Sequence, residues 1–175
     1  MNYTTSTGEQ FDSFALDIES TNVKSPALRN ARLLQLSRRL RAAEPDLALG
    51  AIVPSPRGIQ LLPWYWPGFP YAELAGIYDV FLPMGYFTYR RHYPGGSAAY
   101  TRTNIKLLRE GTGNPELPVH AIGGLAGLAS QSQVQGFLRA SRTGGAIGSS
   151  LYDFASTTAQ QWPLLRSSNA PPTTG

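Results

Sequence analysis

Ser13-Phe14-Ala15-Leu16-Asp17-Ile18-Glu19 decides how the rest of this chain is read. Side chains alternate along a strand, so Phe14, Leu16 and Ile18 face one way and Ala15, Asp17 and Glu19 the other. The apolar set suits a layer of helices. The small-then-acidic set suits an inner face whose far end carries two carboxylates. Working outward, residues 47–53 (LALGAIV), 77–86 (IYDVFLPMGY), 117–123 (LPVHAIG) and 145–151 (GAIGSSL) also read as short buried strands. Helical patterns lie between them. Ser25-Pro26 gives a cap and a first-position proline ahead of Leu28, Ala31, Leu34 and Leu40 at helical spacing. Ser97 precedes Tyr100, Ile105 and Leu108, with Gly111 as the stop. Ser130 opens a third pattern with Val134, Phe137 and Leu138 inward, and a last helix is expected over 157–166. The proline density of 63–70 (PWYWPGFP) excludes regular structure there, with a helical turn expected over 71–75.

Strand–helix alternation predicts parallel strands joined by right-handed crossovers, an α/β fold. The strands begin about 33 residues apart, and eight such units would need roughly the 250 residues of a TIM (β/α)8-type barrel. The expectation is therefore five of eight units, an incomplete barrel over residues 1–166 followed by a flexible tail over 167–175. An open doubly wound sheet is the alternative. It usually announces a nucleotide with a Gly-rich first turn, and no such fingerprint is present. On the barrel reading about 100 further residues, three units, would precede Met1 in a longer protein.

Composition narrows the function classes. Of 175 residues, 42% are apolar and only 15% charged, and 18 Gly with 14 Pro make the chain turn-rich. The apolar runs are too short for a membrane span. Zero Cys excludes disulfides, thiol catalysis and thiolate metal sites. No His spacing supports a metal site, and no cofactor is expected. Residues 1–10 lack the basic start and apolar run of a secretion signal, so the default location is the cytoplasm unless the natural start lies upstream. The net charge is +4, with five Arg between Arg29 and Arg41 on one helix that has no aromatic residue. That pattern reads as a solvated outer face rather than a nucleic-acid surface.

The inner carboxylates are the candidate chemistry. Asp17 and Glu19 lie about 6–7 Å apart at Cα, near enough for each to raise the other's proton affinity. One can then serve as a general acid while the other stabilises charge, a division of labour that glycoside hydrolysis uses. Aromatic residues crowd the same end: Trp64, Tyr65, Trp66, Phe69 and Tyr71 in one loop, then Tyr86, Phe87 and Tyr89. Such faces suit the apolar sides of sugar rings, with Trp64 and Trp66 as the binding candidates and Phe69 and Tyr71 as core. Arg57 and Arg90 are free to meet the acids or a substrate carboxylate, lactyl or uronic. His92 follows on a loop, and His120 reads as a buried, hydrogen-bonded residue.

Three strand ends carry a family resemblance. Asp17-Ile18-Glu19, Leu82-Pro83-Met84-Gly85-Tyr86 and Ser150-Leu151-Tyr152-Asp153-Phe154 resemble the corresponding strand ends of glycoside-hydrolase barrels related to family 18 chitinases and family 25 lysozymes. The likeness extends over most of residues 11–162. It implies that Glu19 protonates the glycosidic oxygen, that Asp17 orients a substrate N-acetyl group acting as nucleophile, and that Tyr86 holds that group. The same strand ends supply Met84, Tyr152 and Asp153 as expected substrate-binding neighbours, Arg90 joins them by its charge, and the resemblance implies strands four to eight of the barrel. Ser13 and Ala15 stand where chitinases carry further aspartates, a departure from a chitinase proper. The partner expected is a glycan, with association through open sheet edges. A non-catalytic glycan-binding domain is one alternative. A phosphate-binding biosynthetic barrel is the other, because Gly123-Gly124 and the glycines at 144, 145 and 148 resemble a phosphate cradle at two strand ends.

Overall fold

The computed structural model of the chain describes residues 3–169. Five strands, β1 (Ser13–Asp17), β2 (Ala48–Pro54), β3 (Val80–Met84), β4 (His120–Leu125) and β5 (Gly148–Tyr152), form one parallel sheet in the order β1-β2-β3-β4-β5. The helices are α1 (Pro26–Ala43), α2 (Pro56–Leu61), α3 (Tyr71–Ala75), α4 (Gly96–Thr112), α5 (Gln131–Thr143) and α6 (Gln161–Asn169). Short 3₁₀ turns at Phe87–Tyr89 and Ala126–Leu128 follow β3 and β4. The protein is thus α/β with a five-stranded parallel sheet. Sequential strand order contains no reversal, so the switch point of a doubly wound sheet is absent among the described residues.

One face of the sheet is buried against helices. Phe14, Leu16 and Ile18 of the first segment join Leu49, Ala51 and Val53 of β2 and Phe81 of β3 in a core with Leu33, Ile105 and Leu108. A second core gathers Ala121 and Leu151 against Val134, Phe137 and Leu138 of α5. The opposite face carries Ala15, Asp17, Ile52, Leu82, Met84, His120, Ile122 and Ser150, none of them fully buried. The alternation expected for residues 13–19 holds.

Several boundaries move for identifiable reasons. Ile77 and Tyr78 donate their backbone N–H groups to Leu74 O and close the turn after α3, so β3 begins three residues later than expected. Gly145 and Ala146 likewise bond back to the end of α5, which delays β5 to Gly148. The helix expected from Ser97 starts at Gly96 and stops at Gly113, whose φ of +70° lets it cap the helix end where Gly111 was expected to stop it. Ser55-Pro56, the same cap-and-proline pair as Ser25-Pro26, opens the unforeseen α2, with Gly58 N donating to Ser55 Oγ at 3.2 Å. Buried Gln161 donates to Ala126 O and Ala129 O, fixing the start of α6 four residues later than expected. That helix continues to Asn169, so residues 167–169 are helical rather than tail, and 170–175 lie outside the described residues.

The α1 stripe is rotated from its expected position. Leu28 is exposed, and the core side presents Arg29, Leu33 and Ser37. Each polar member has a partner: Tyr78 Oη and Ser37 Oγ lie 2.9 Å apart, and Arg29 Nε donates to Val23 O. Arg41 crosses to Ile77 O, Leu47 O and the Asp79 carboxylate. Two of the five arginines read as a solvated face are therefore ties between elements, while Arg32, Arg38 and Arg39 are exposed. No helix among the described residues is long and apolar enough to cross a membrane.

Candidate functional site

The C-terminal ends of β1, β2 and β3 surround a cleft of about 270 Å³. Glu19 stands at one side, two residues beyond β1 and exposed. Pro54 and Ser55 form the floor, α2 contributes Ile59, and Met84, Tyr86 and Arg90 close the β3 side. In a parallel α/β sheet this is the edge where loops gather and ligands bind.

Tyr86 is the electrostatic centre of the group. It is half-buried at the entrance to the 3₁₀ turn, and burial holds its phenol above the ordinary value, with the negative charges of Asp17 and Glu19 adding to the effect. Its ring meets Tyr152 edge-to-face at 6.1 Å and Tyr89 at 6.0 Å. Glu19 and Tyr86 share the cleft wall, whereas Asp17 and Tyr152 lie outside its lining, Tyr152 touching Tyr86 by its ring and Asp17 acting on it by charge. Met84 faces the same side and lines the cleft.

Tyr65 belongs to this site and was not singled out in the sequence. Its hydroxyl donates to Glu19 O at 3.1 Å, fixing the backbone that carries the candidate acid. Burial raises its pKa, Glu19 raises it further, and Arg29 opposes. It lay in the aromatic loop 63–70, but its contact spans 46 residues, and no local pattern reports such a pairing.

The loop tryptophans divide differently from expectation. Trp66 is 2% exposed, with its indole N–H donating to Asn30 Oδ1 at 2.7 Å and the Arg29 guanidinium 4.7 Å from its ring. It is a core residue of the α1 contact and does not reach the cleft. Trp64 is 73% exposed and lies outside the cleft lining. Phe69 and Tyr71 pack in the core as expected.

Asp153 does not point at the cleft. Its carboxylate accepts from Ser156 Oγ and Ser156 N at 2.8 and 3.0 Å, bonds that lower its pKa and organise the loop after β5. The Tyr152–Asp153 peptide bond is cis. His92 is exposed and outside the cleft. His120 sits on the cleft side of the sheet with Nε2 3.1 Å from Ser150 Oγ, and burial lowers its pKa.

The glycines behind the phosphate reading have a packing explanation. A Cβ on Gly124 would stand 2.6 Å from Thr88 Cγ2 and 2.9 Å from the Phe87 ring, and one on Gly148 2.6 Å from His120 Nδ1. The next backbone donor, Leu125 N, is taken by Thr88 Oγ1 at 3.1 Å. Close packing against Thr88 and Phe87 therefore accounts for a glycine at 124 without a ligand. Among the described residues no group of three or more His, Asp or Glu could hold a metal ion.

Fold and site together define a class: an α/β protein with a tyrosine-lined cleft, carrying Glu19 and Arg90, at the C-terminal edge of a parallel sheet. Comparison of the chain with protein-family models, curated proteins and solved structures found no match.

Proposed function

We propose that this chain is a carbohydrate-active domain of (β/α)8-barrel type, a glycosidase acting on N-acetylated glycans through Asp17 and Glu19. The observation that carries the reading is Glu19 on the wall of a cleft that Tyr65, Met84, Tyr86 and Tyr89 also line. An exposed carboxyl group beside aromatic faces suits a glycosidic oxygen above a sugar ring. Glu19 donates the proton to the leaving oxygen. Asp17, two residues earlier on the same face, stabilises the positive charge that develops as the N-acetyl oxygen attacks the anomeric carbon. Tyr86 holds that acetamido group by its hydroxyl.

The barrel assignment is supported by sequential parallel order with α1, α4 and α5 packed on one face among the described residues, the pattern of successive barrel units. Five units leave the outer edges of β1 and β5 without a strand partner among the described residues, and such edges favour pairing with further strands.

The test is hydrolysis of an N-acetylated oligosaccharide by the chain and by Glu19→Gln. The variant should fold normally and lose about 100-fold or more in rate. Equal rates would remove Glu19 from the mechanism. Binding without hydrolysis in both proteins would favour the non-catalytic glycan-binding reading.

A further inference from the structure

Two guanidinium groups beside the cleft hold hydrogen-bond donors that find no acceptor among the described residues. Arg90 lines the cleft after β3, and its Nε is shielded from solvent without an acceptor. Its Nη1 makes only a long contact, 3.4 Å, to Tyr89 O. Arg57, in the first turn of α2, also has a shielded Nε with no acceptor. Its backbone N–H is anchored by Asn104 Oδ1 at 2.9 Å, and Nη1 reaches Gln60 Oε1 at 2.8 Å. The two arginines flank one turn: Arg57 lies 5.7 Å from the Tyr93 ring centroid, and Tyr93 N donates to Arg90 O.

Other structural arginines of this chain use the same atom. Arg29 Nε donates to Val23 O, and Arg41 Nε to Ile77 O, each at 2.9 Å. No carboxylate pairs with Arg57 or Arg90 among the described residues. Arg90 lines the cleft without a carboxylate partner, and a planar carboxylate meeting its Nη1 and Nη2 together is a ligand whose geometry matches it. Placement adds direction. Asp17 and Glu19 repel an anion from the β1 side, so a charged sugar is held with its carboxylate toward β3.

Building on the glycan reading above, we infer that Arg90, with Arg57 behind it, forms a carboxylate subsite, so that the glycan taken by this cleft carries an acidic substituent. The carboxylate is either that of a uronic acid or that of a lactyl ether, and the two present the same planar pair of oxygens at different distances from the ring.

The experiment measures affinity by calorimetry for three ligands: a hyaluronan tetrasaccharide, the disaccharide of N-acetylglucosamine and N-acetylmuramic acid, and neutral chitotetraose. At least one acidic ligand should bind tenfold or more tighter than chitotetraose, and which one does so identifies the source of the carboxylate. In Arg90→Gln the acidic preference should shrink to within about threefold, and Arg57→Gln should reduce it partially. Circular dichroism checks that both variants fold. Equal affinity for acidic and neutral ligands in the unmodified protein overturns the subsite while leaving the glycan reading standing, as does a preference that survives Arg90→Gln. Failure of all three ligands to bind overturns the glycan reading and the subsite with it.

Discussion

Tyr86 and Tyr152 meet edge-to-face, with ring centroids 6.1 Å apart and planes inclined by 73°, although β4 separates the strands that lead to them. Strands two places apart in a sheet lie about 10 Å from each other. The two rings therefore lean together over the end of β4 and gather the β5 side of the site to the β3 side. Tyr86 also feels the charges of Asp17 and Glu19, so one phenol registers groups supplied from β1 and β5.

That position makes Tyr86 a reporter of the site. Its phenol should ionise above the ordinary value near 10, as followed by the 13C shift of its ring Cζ. Replacing Asp17 and Glu19 by Asn and Gln should lower the value without restoring it fully, because burial is the largest cause. A Tyr86 pKa indifferent to both substitutions would place the carboxylates too far away to share its site.

The two loop tryptophans should separate sharply in stability. Trp66→Ala removes a buried ring, its bond to Asn30 and its contact with Arg29, at a cost of about 3–5 kcal/mol. Trp64→Ala removes an exposed ring and should change stability by less than about 0.5 kcal/mol. Urea denaturation of both variants is the measurement, and comparable losses would contradict the placement of Trp66.

Asp79 gives the fold a defined acid sensitivity. Its carboxylate accepts from Leu49 N at 2.7 Å and from Arg41 at 2.6 Å, and these bonds hold its pKa below the ordinary value. A group depressed on folding stabilises above its unfolded pKa, near 3.9, and that contribution fades as pH falls through the folded value. Asp79→Asn should cost about 1 kcal/mol at pH 7, a figure kept small for the exposure of the pair, and flatten the stability profile below pH 5. An unchanged slope in acid would show that the tie to β2 carries no charge dependence.

Gly124 and Gly127 should respond differently to alanine. At Gly124 the new methyl meets Thr88 and the Phe87 ring inside 3.0 Å, and overpacking of that kind costs about 1–3 kcal/mol. At Gly127 the nearest atom is Ser156 Cβ at 3.4 Å, an ordinary contact. Thermal unfolding should register the first substitution and hardly the second. A Gly124→Ala protein as stable as its parent would reopen the space beside β4.

Local pattern was enough for the α/β class, for the five strands and for the two faces of residues 13–19. These follow from period-2 and period-3.6 patterns and from caps such as Ser25 and Ser130, all of them local. The spacing of the acidic pair was legible for the same reason, although β1 ends at Asp17 and Glu19 lies two residues beyond it. Tertiary structure decided what local pattern cannot carry. Trp64 and Trp66 look alike in the chain, and only the arrival of Asn30 and Arg29 from α1 makes Trp66 core. Tyr65 enters the site through a bond to a backbone oxygen 46 residues away, and Asp153 leaves it because Ser156 is the nearer donor. A side chain's role depends on which partner satisfies it first, and partners distant in sequence are chosen by packing.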